Sequence, residues 1–224
     1  MPTLSSLATN GLVKTNLAER LRQEIVNGTL APGERIVEGT WAVKFGVAQG
    51  SIREAINILA QDGFIAKESG RSARVIHLSE RDVAHLYDLR GAIEGLAARL
   101  AAAAQQDFRN LQAAVHEMRE AAMAGKRERL LDCDLQFHME LCRLSQNPYV
   151  IEHARRVLMP FFAFVRMRVT TSGQGTTVWG KDLEAHQRIV DLLREGEGEV
   201  AEQYVKRAMA RFAKVAYVEW ERRT

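Results

Sequence analysis

The stretch from Pro32 to Ile65, PGERIVEGTWAVKFGVAQGSIREAINILAQDGFI, decides the fold. Pro32-Gly33 makes a turn, because proline presets its own φ and glycine tolerates the conformation that follows. Val37 to Phe45 fits a short helix ended by Gly46. A second helix fits Gly50 to Asp62, with Ile52, Ala55, Ile56 and Leu59 on one face and Gly63 as its stop. Upstream, Leu17, Leu21, Ile25 and Val26 recur at helical spacing, with Asn16 expected as the N-cap and Gly28 as the terminator. Downstream the period changes. Phe64-Ile65-Ala66 and Arg74-Val75-Ile76-His77 are two β-prone runs around Gly70, which predicts a small hairpin. Three helices and a hairpin in this order are the pattern of a winged helix-turn-helix.

Beyond His77 the period is helical almost to the end. Ser79, with Asp82 three residues later, has the form of a capping box and marks a domain boundary. Helices are expected over 80–104, 107–124, 127–146, 148–170 with a break near Pro160, 181–195 and 198–222. The fold class is therefore mainly α: an N-terminal winged helix-turn-helix with a small β-hairpin, followed by an all-α helical bundle. The expected organisation is a flexible tail over 1–14, a DNA-binding domain over 15–78 and a helical effector-binding and dimerisation domain over 79–224.

Composition agrees and excludes several classes. At 46% hydrophobic and 26% charged, the chain reads as a soluble globular protein. No apolar run of transmembrane length and no signal-peptide pattern occurs in it, so a cytoplasmic location is expected. Cys133 and Cys142 fall in one helical pattern, nine residues apart and facing different ways, and read as reduced packing residues. Net charge is only +3, of which residues 1–78 contribute nine cations against seven anions. Any claim of DNA binding has to rest on placement.

The placement is suggestive. The helix opening at Gly50 is the candidate for insertion into the major groove, where base edges can be told apart. Gln49, Gly50 and Ser51 bring short polar groups and free backbone N–H donors to its N-terminal end, and Arg53 stands one turn in. Gly70 and Arg71, with Arg74, place a close-approaching backbone and charge on the wing. The same three-helix unit also serves as a protein-binding module, and Arg53 beside Glu54 also fits a solvated pair.

In the helical part, Leu86, Leu89, Ile93, Leu96 and Leu100 make the stripe expected to face the core. Arg90 at its edge needs an anion: either Glu94 at i+4 or the carboxylate of a ligand. Asp134 and His138, also i and i+4, share a helix face and can hold one metal ion jointly, with His186 closing the site from a later helix. The alternative is a plain hydrogen-bonded helix pair. His85, His116 and His153 read as surface or satisfied residues. Gly175 to Lys181 imitates a phosphate-binding loop, but Asp182 stands where Ser or Thr must hold magnesium, and no strand precedes it. The glycines nearby suggest a mobile connection instead.

Pro32-Gly33-Glu34-Arg35, Val37-Glu38, Gly46-Val47, Ile52-Arg53-Glu54-Ala55-Ile56, Leu59 and Asp62-Gly63-Phe64-Ile65 closely resemble the GntR family of transcription regulators. Leu89-Arg90, Ile93-Glu94, Ala97-Ala98, Leu100-Ala101-Ala102, then Asp134, Phe137-His138, Asn147-Pro148, Glu184-Ala185-His186 and Ile189 resemble the FCD class of that family. The resemblance implies a ligand-responsive DNA-binding regulator, repressor before activator. It implies a homodimer on a near-palindromic operator, controlled by a small carboxylate that Arg90 binds. It also implies a divalent metal (zinc, nickel or manganese) on Asp134, His138 and His186. Three departures stand out. Gln49 and Gly39 occupy positions where the family usually carries arginine, and Ala208 occupies the place of a fourth metal-binding histidine. Two other readings follow from the same residues. One is a metal-dependent hydrolase or lyase on the bundle; the other is a regulator that has lost its effector.

Overall fold

A computed structural model of the chain describes residues 16–67, 73–104, 106–172 and 179–221. They fall into two compact units, Met1–His77 with Ala163–Gly173, and Leu78–Phe162 with Gln174–Thr224. The expected division had assigned residues 163–173 to the second unit.

In the first unit, α1 covers 16–26 and buries Leu17, Ala18, Leu21, Ile25 and Val26. Asn16 is itself helical, so it is not the cap that the sequence suggested. The turn at Gly33 (φ 80°) lets its N–H donate to the Val75 carbonyl at 3.0 Å. That contact starts β1, Arg35–Ile36. Helix α2 spans Glu38–Phe45 and ends on Gly46 at φ 69°, a left-handed cap that glycine adopts without strain. Helix α3, Gln49–Gln61, buries Ile52, Ala55, Ile56 and Leu59. An ion pair from Arg22 to Asp62 at 2.6 Å ties α1 to the end of α3.

Strands β2, Ile65–Lys67, and β3, Ala73–Val75, form the antiparallel hairpin with Ala66 opposite Arg74. The sheet has a third member: β1 pairs antiparallel with β3, Ile36 opposite Ala73. A two-residue strand has too little periodicity to be read in sequence. It exists because the turn at Gly33 brings it to the free edge of β3. The tip of the wing, with Gly70 and Arg71, lies outside the described residues.

The remaining helices are α4 (Glu80–Ala103), α5 (Arg109–Met123), α6 (Arg127–Leu144), α7 (Pro148–Ser172), α8 (Trp179–Arg194) and α9 (Gly198–Glu221), all in the second unit except the part of α7 from Ala163 on. The Ser79 side chain accepts from the Asp82 N–H, and the Asp82 carboxylate accepts from the Ser79 N–H, so the capping box is complete. Helix α7 continues through Pro160 without the expected break. The connection before α8 includes Gly173 and Gly175, and its suggested mobility concerns residues outside those described.

Helix α4 also departs from expectation. It packs against α9 along its length, and its buried face is Val83, Arg90, Gly91, Glu94, Gly95, Ala97, Ala98, Ala101 and Ala102. A Cβ on Gly95 would sit 3.2 Å from the Glu202 carbonyl oxygen, and one on Gly198 would sit 3.0 Å from that of Arg99. Small residues thus set the α4–α9 spacing. The leucine stripe expected in the core flanks that buried face instead of forming it: Leu89 is 45% exposed, and Leu86, Ile93, Leu96 and Leu100 are half-buried.

Candidate nucleic-acid interface and candidate metal centre

The start of α3 presents Gln49 and Gly50 exposed and Ser51 half-buried, behind Ala48, which supplies no side-chain cap. The first N–H groups of this helix therefore have no side-chain acceptor of the usual kind, and no acidic residue occupies its first turn. That end is open to an anion.

Arg53 is exposed and engaged by a residue that sequence reasoning missed. Its Nε donates to Glu38 Oε1 at 3.0 Å and its Nη2 to Glu38 Oε2 at 2.8 Å, clamping α3 to α2. The hydrogen bond to Glu38, then its charge, holds the guanidinium above its ordinary pKa. Glu54, the sequence neighbour, is not the partner in this clamp. The two departures from the arginine pattern also meet. Gln49 Nε2 lies 3.0 Å from where a Cβ on Gly39 would be. The absence of a side chain at 39 leaves the room that the Gln49 amide fills.

In the helical unit, α6 brings Asp134 and His138 and α8 brings His186 to one point. Asp134 Oδ1 is 3.2 Å from His138 Nε2 and 3.0 Å from His186 Nε2, and the two Nε2 atoms are 3.3 Å apart. A metal with bonds of about 2.05 Å has donor–donor edges of about 3.3 Å when tetrahedral and about 2.9 Å when octahedral. The three edges fall in that range. Asp134 Oδ1 is also a buried carboxylate oxygen that no hydrogen bond of good geometry satisfies. Unsatisfied anionic oxygen and two imidazole nitrogens aimed at one point are the donor set of zinc, nickel or manganese. The fit is good for three protein ligands, and Ala208, buried on α9, supplies no fourth.

Behind this triangle stands a relay. Arg90 Nε donates to Glu94 Oε1 at 2.7 Å, and the other Glu94 oxygen meets His138 Nδ1. A carboxylate on Nδ1 keeps the proton there and leaves Nε2 with its lone pair toward the cluster. Burial would raise the Glu94 carboxyl, but the Arg90 charge and then His138 hold it down at about 2. Burial likewise opposes ionisation of Asp134, and the two imidazoles more than offset it. His138 is held above the ordinary imidazole value, because the Glu94 charge outweighs burial. Of the two partners weighed for Arg90 in sequence, Glu94 has its Nε. The guanidinium carbon lies 4.6 Å from the centroid of the Phe161 ring and 5.3 Å from that of Phe162. Phe137 meets the His186 ring edge-on at 4.6 Å, fixing its plane. His85, His116 and His153 are exposed and stand apart from the cluster.

Comparison with known proteins covers both units. Residues 13–75 match the bacterial regulatory proteins of the gntR family, and residues 85–211 match the FCD domain. The HTH-type transcriptional regulator YdhC of Bacillus subtilis is 28% identical over 83% of this chain and 83% of its own. The gluconate operon transcriptional repressor of the same organism is 38% identical over 35% of this chain and 32% of its own. Among solved structures, Escherichia coli McbR/YncC superposes with a TM-score of 0.71 at 16% identity, covering 93% of this chain and 98% of that one, a likeness of fold.

Proposed function

Because this chain belongs to the GntR family of bacterial regulatory proteins and carries an FCD domain, it is a transcription regulator and not an enzyme, and we propose that it answers to a small organic acid bound at a metal in the helical domain. The observation that carries this is the triangle of Asp134, His138 and His186 with the Arg90–Glu94 relay behind it. A bound divalent ion would supply a Lewis-acidic point of attachment for a carboxylate. Glu94 orients His138, Arg90 neutralises Glu94, and the aromatic rings restrict access of water. Arg90 reaches an effector only through its terminal nitrogens, since Nε is committed.

The DNA-binding role falls to the residues at the start of α3, Gln49, Gly50, Ser51 and Arg53, and to Gly70 and Arg71 of the wing. Two copies on a near-palindromic operator, acting in the cytoplasm as a repressor, complete the reading. No described helix is long and apolar enough to cross a membrane.

The test joins metal analysis to DNA binding. About one divalent ion per chain, lost in His138→Ala, together with a carboxylate that shifts the retardation of the protein's own promoter fragment, is the expected result. Absence of metal from both chains, with no carboxylate altering retardation, overturns the effector reading. It would favour a regulator without a small-molecule ligand, which the alanine at 208 independently suggests.

A further inference from the structure

Helix α2 begins at Glu38, and its first two residues meet α3 at two points one turn apart. Glu38 takes Arg53, and Gly39 leaves the space that the Gln49 amide enters. Residues 49 and 53 are i and i+4, so their side chains rise from one face of α3, beside its open N-terminal end.

The grip on Arg53 is one-sided. Nε donates to Glu38 Oε1 at 3.0 Å and to Oε2 at 3.2 Å, and Nη2 donates to Oε2 at 2.8 Å. These bonds occupy the side edge of the guanidinium, made of Nε–H and one Nη2–H. The end edge, made of one Nη1–H and the other Nη2–H, has no hydrogen-bond partner among the described residues, and the side chain is 57% exposed. We propose that Glu38 is a specificity-determining residue that positions Arg53, making it a reader of guanine instead of a grip on phosphate. This rests on the reading that places DNA at the start of α3 and deepens it.

Two consequences of the pairing support this. The end edge is the fork that guanine O6 and N7 accept, and fixing the side edge sets its direction, so less side-chain freedom is lost when it docks. The carboxylate also offsets the charge. Attraction to the phosphate backbone follows net charge, so a paired arginine gains little there and keeps its hydrogen-bonding geometry for a base edge. The same pair adds little to the fold. Exposed ion pairs contribute weakly to stability, and α2 and α3 are already joined by packing that buries Trp41 and Ala42 on one and Ile52, Ala55 and Ile56 on the other.

The experiment uses the full chain and fluorescence anisotropy on two duplexes, the protein's own promoter fragment and a scrambled sequence of equal length. Glu38→Gln keeps the size, removes the charge and leaves one acceptor oxygen. It should lower the ratio of promoter to scrambled affinity by about tenfold, the scale of one bidentate base contact. It should also steepen the salt slope on the scrambled duplex by about 0.9, as the released arginine takes a phosphate. The melting temperature should move by less than about 3 °C. In an Arg53→Lys background, where no fork remains, Glu38→Gln should leave the ratio unchanged. A ratio that holds or rises in Glu38→Gln overturns the proposal, as does an equal fall on both duplexes with a lowered melting temperature, which would make Glu38 a purely structural residue. A tenfold fall that persists in the Arg53→Lys background also overturns it, because Glu38 would then act by another route. Arg53→Ala separates this failure from that of the parent reading. If it weakens promoter binding while Glu38→Gln changes nothing, DNA still lies at α3; if neither variant changes either affinity, both readings fall.

Discussion

At the scale of single residues, the proposed DNA-binding role of Gln49 can be tested through its contact with Gly39. Each cation that neutralises a phosphate adds about 0.9 to the slope of log affinity against log salt. With glutamine and glycine at 49 and 39, this chain should bind DNA with a shallow slope. Gly39→Arg combined with Gln49→Arg should steepen it by about 2 in fluorescence-anisotropy titrations over a salt series, and an unchanged slope would remove both positions from the interface. Gly39→Ala alone should disturb the Gln49 amide, whose nitrogen lies 3.0 Å from the added carbon, and alter operator preference more than non-specific affinity. In the relay, Glu94→Gln should weaken zinc binding by about 10–100-fold in competition with a chromogenic chelator, the loss typical of a residue that orients a histidine ligand. Full zinc affinity in that variant would make Glu94 only a partner for Arg90. The clustering of Asp134 and His138 was legible because they share a helix face. The Glu94–His138 contact was not, since it joins two helices that no local spacing relates. Burial, then the Glu94 charge, pushes the Cys142 thiol well up, and burial also raises Cys133. Neither should react with a disulfide reagent at neutral pH until the protein is unfolded, and rapid labelling of the native chain would place them nearer the surface.

At the scale of elements, boundaries were readable where one residue type dictates the backbone. Gly46 ends α2 because only a left-handed residue closes that turn, and Ser79 with Asp82 starts α4 by satisfying its first N–H groups. Faces were less readable. Periodicity shows that Leu86 to Leu100 lie on one side of α4, but the flanking side, poor in bulk, is the one buried. The reason is close approach: glycine and alanine let α9 come near enough for backbone contact, and a partner of that kind leaves no hydrophobic signature on α4. Gly95→Val should therefore lower the melting temperature by several degrees, corresponding to about 1–3 kcal/mol of overpacking against Glu202. Gly50→Ala, whose added carbon would meet nothing within 4 Å, should leave stability nearly unchanged. Equal melting temperatures for Gly95→Val and Gly50→Ala would show that the α4–α9 spacing is not set by small residues.

For the whole molecule, the Asp134, His138 and His186 cluster and the start of α3 stand in different compact units of one chain. Coupling between them needs an effector that binds one arrangement of the protein more tightly than another, since equal binding shifts nothing however tight it is. The coupling must also be reciprocal. If a carboxylate weakens operator binding by some factor, in the range of about 5–150-fold common for such systems, operator duplex must weaken carboxylate binding by the same factor. Calorimetric titration of the effector into metal-loaded protein, with and without saturating operator, should return the ratio found by retardation in the presence and absence of effector. A ratio that differs between the two would mean that the acid acts on DNA binding by another route, such as stripping the metal from Asp134, His138 and His186. Repeating both titrations with the metal removed separates the cases. Loss of the coupling together with loss of effector binding places the metal in the effector site itself, whereas effector binding that survives without coupling makes the metal a part of the switch alone.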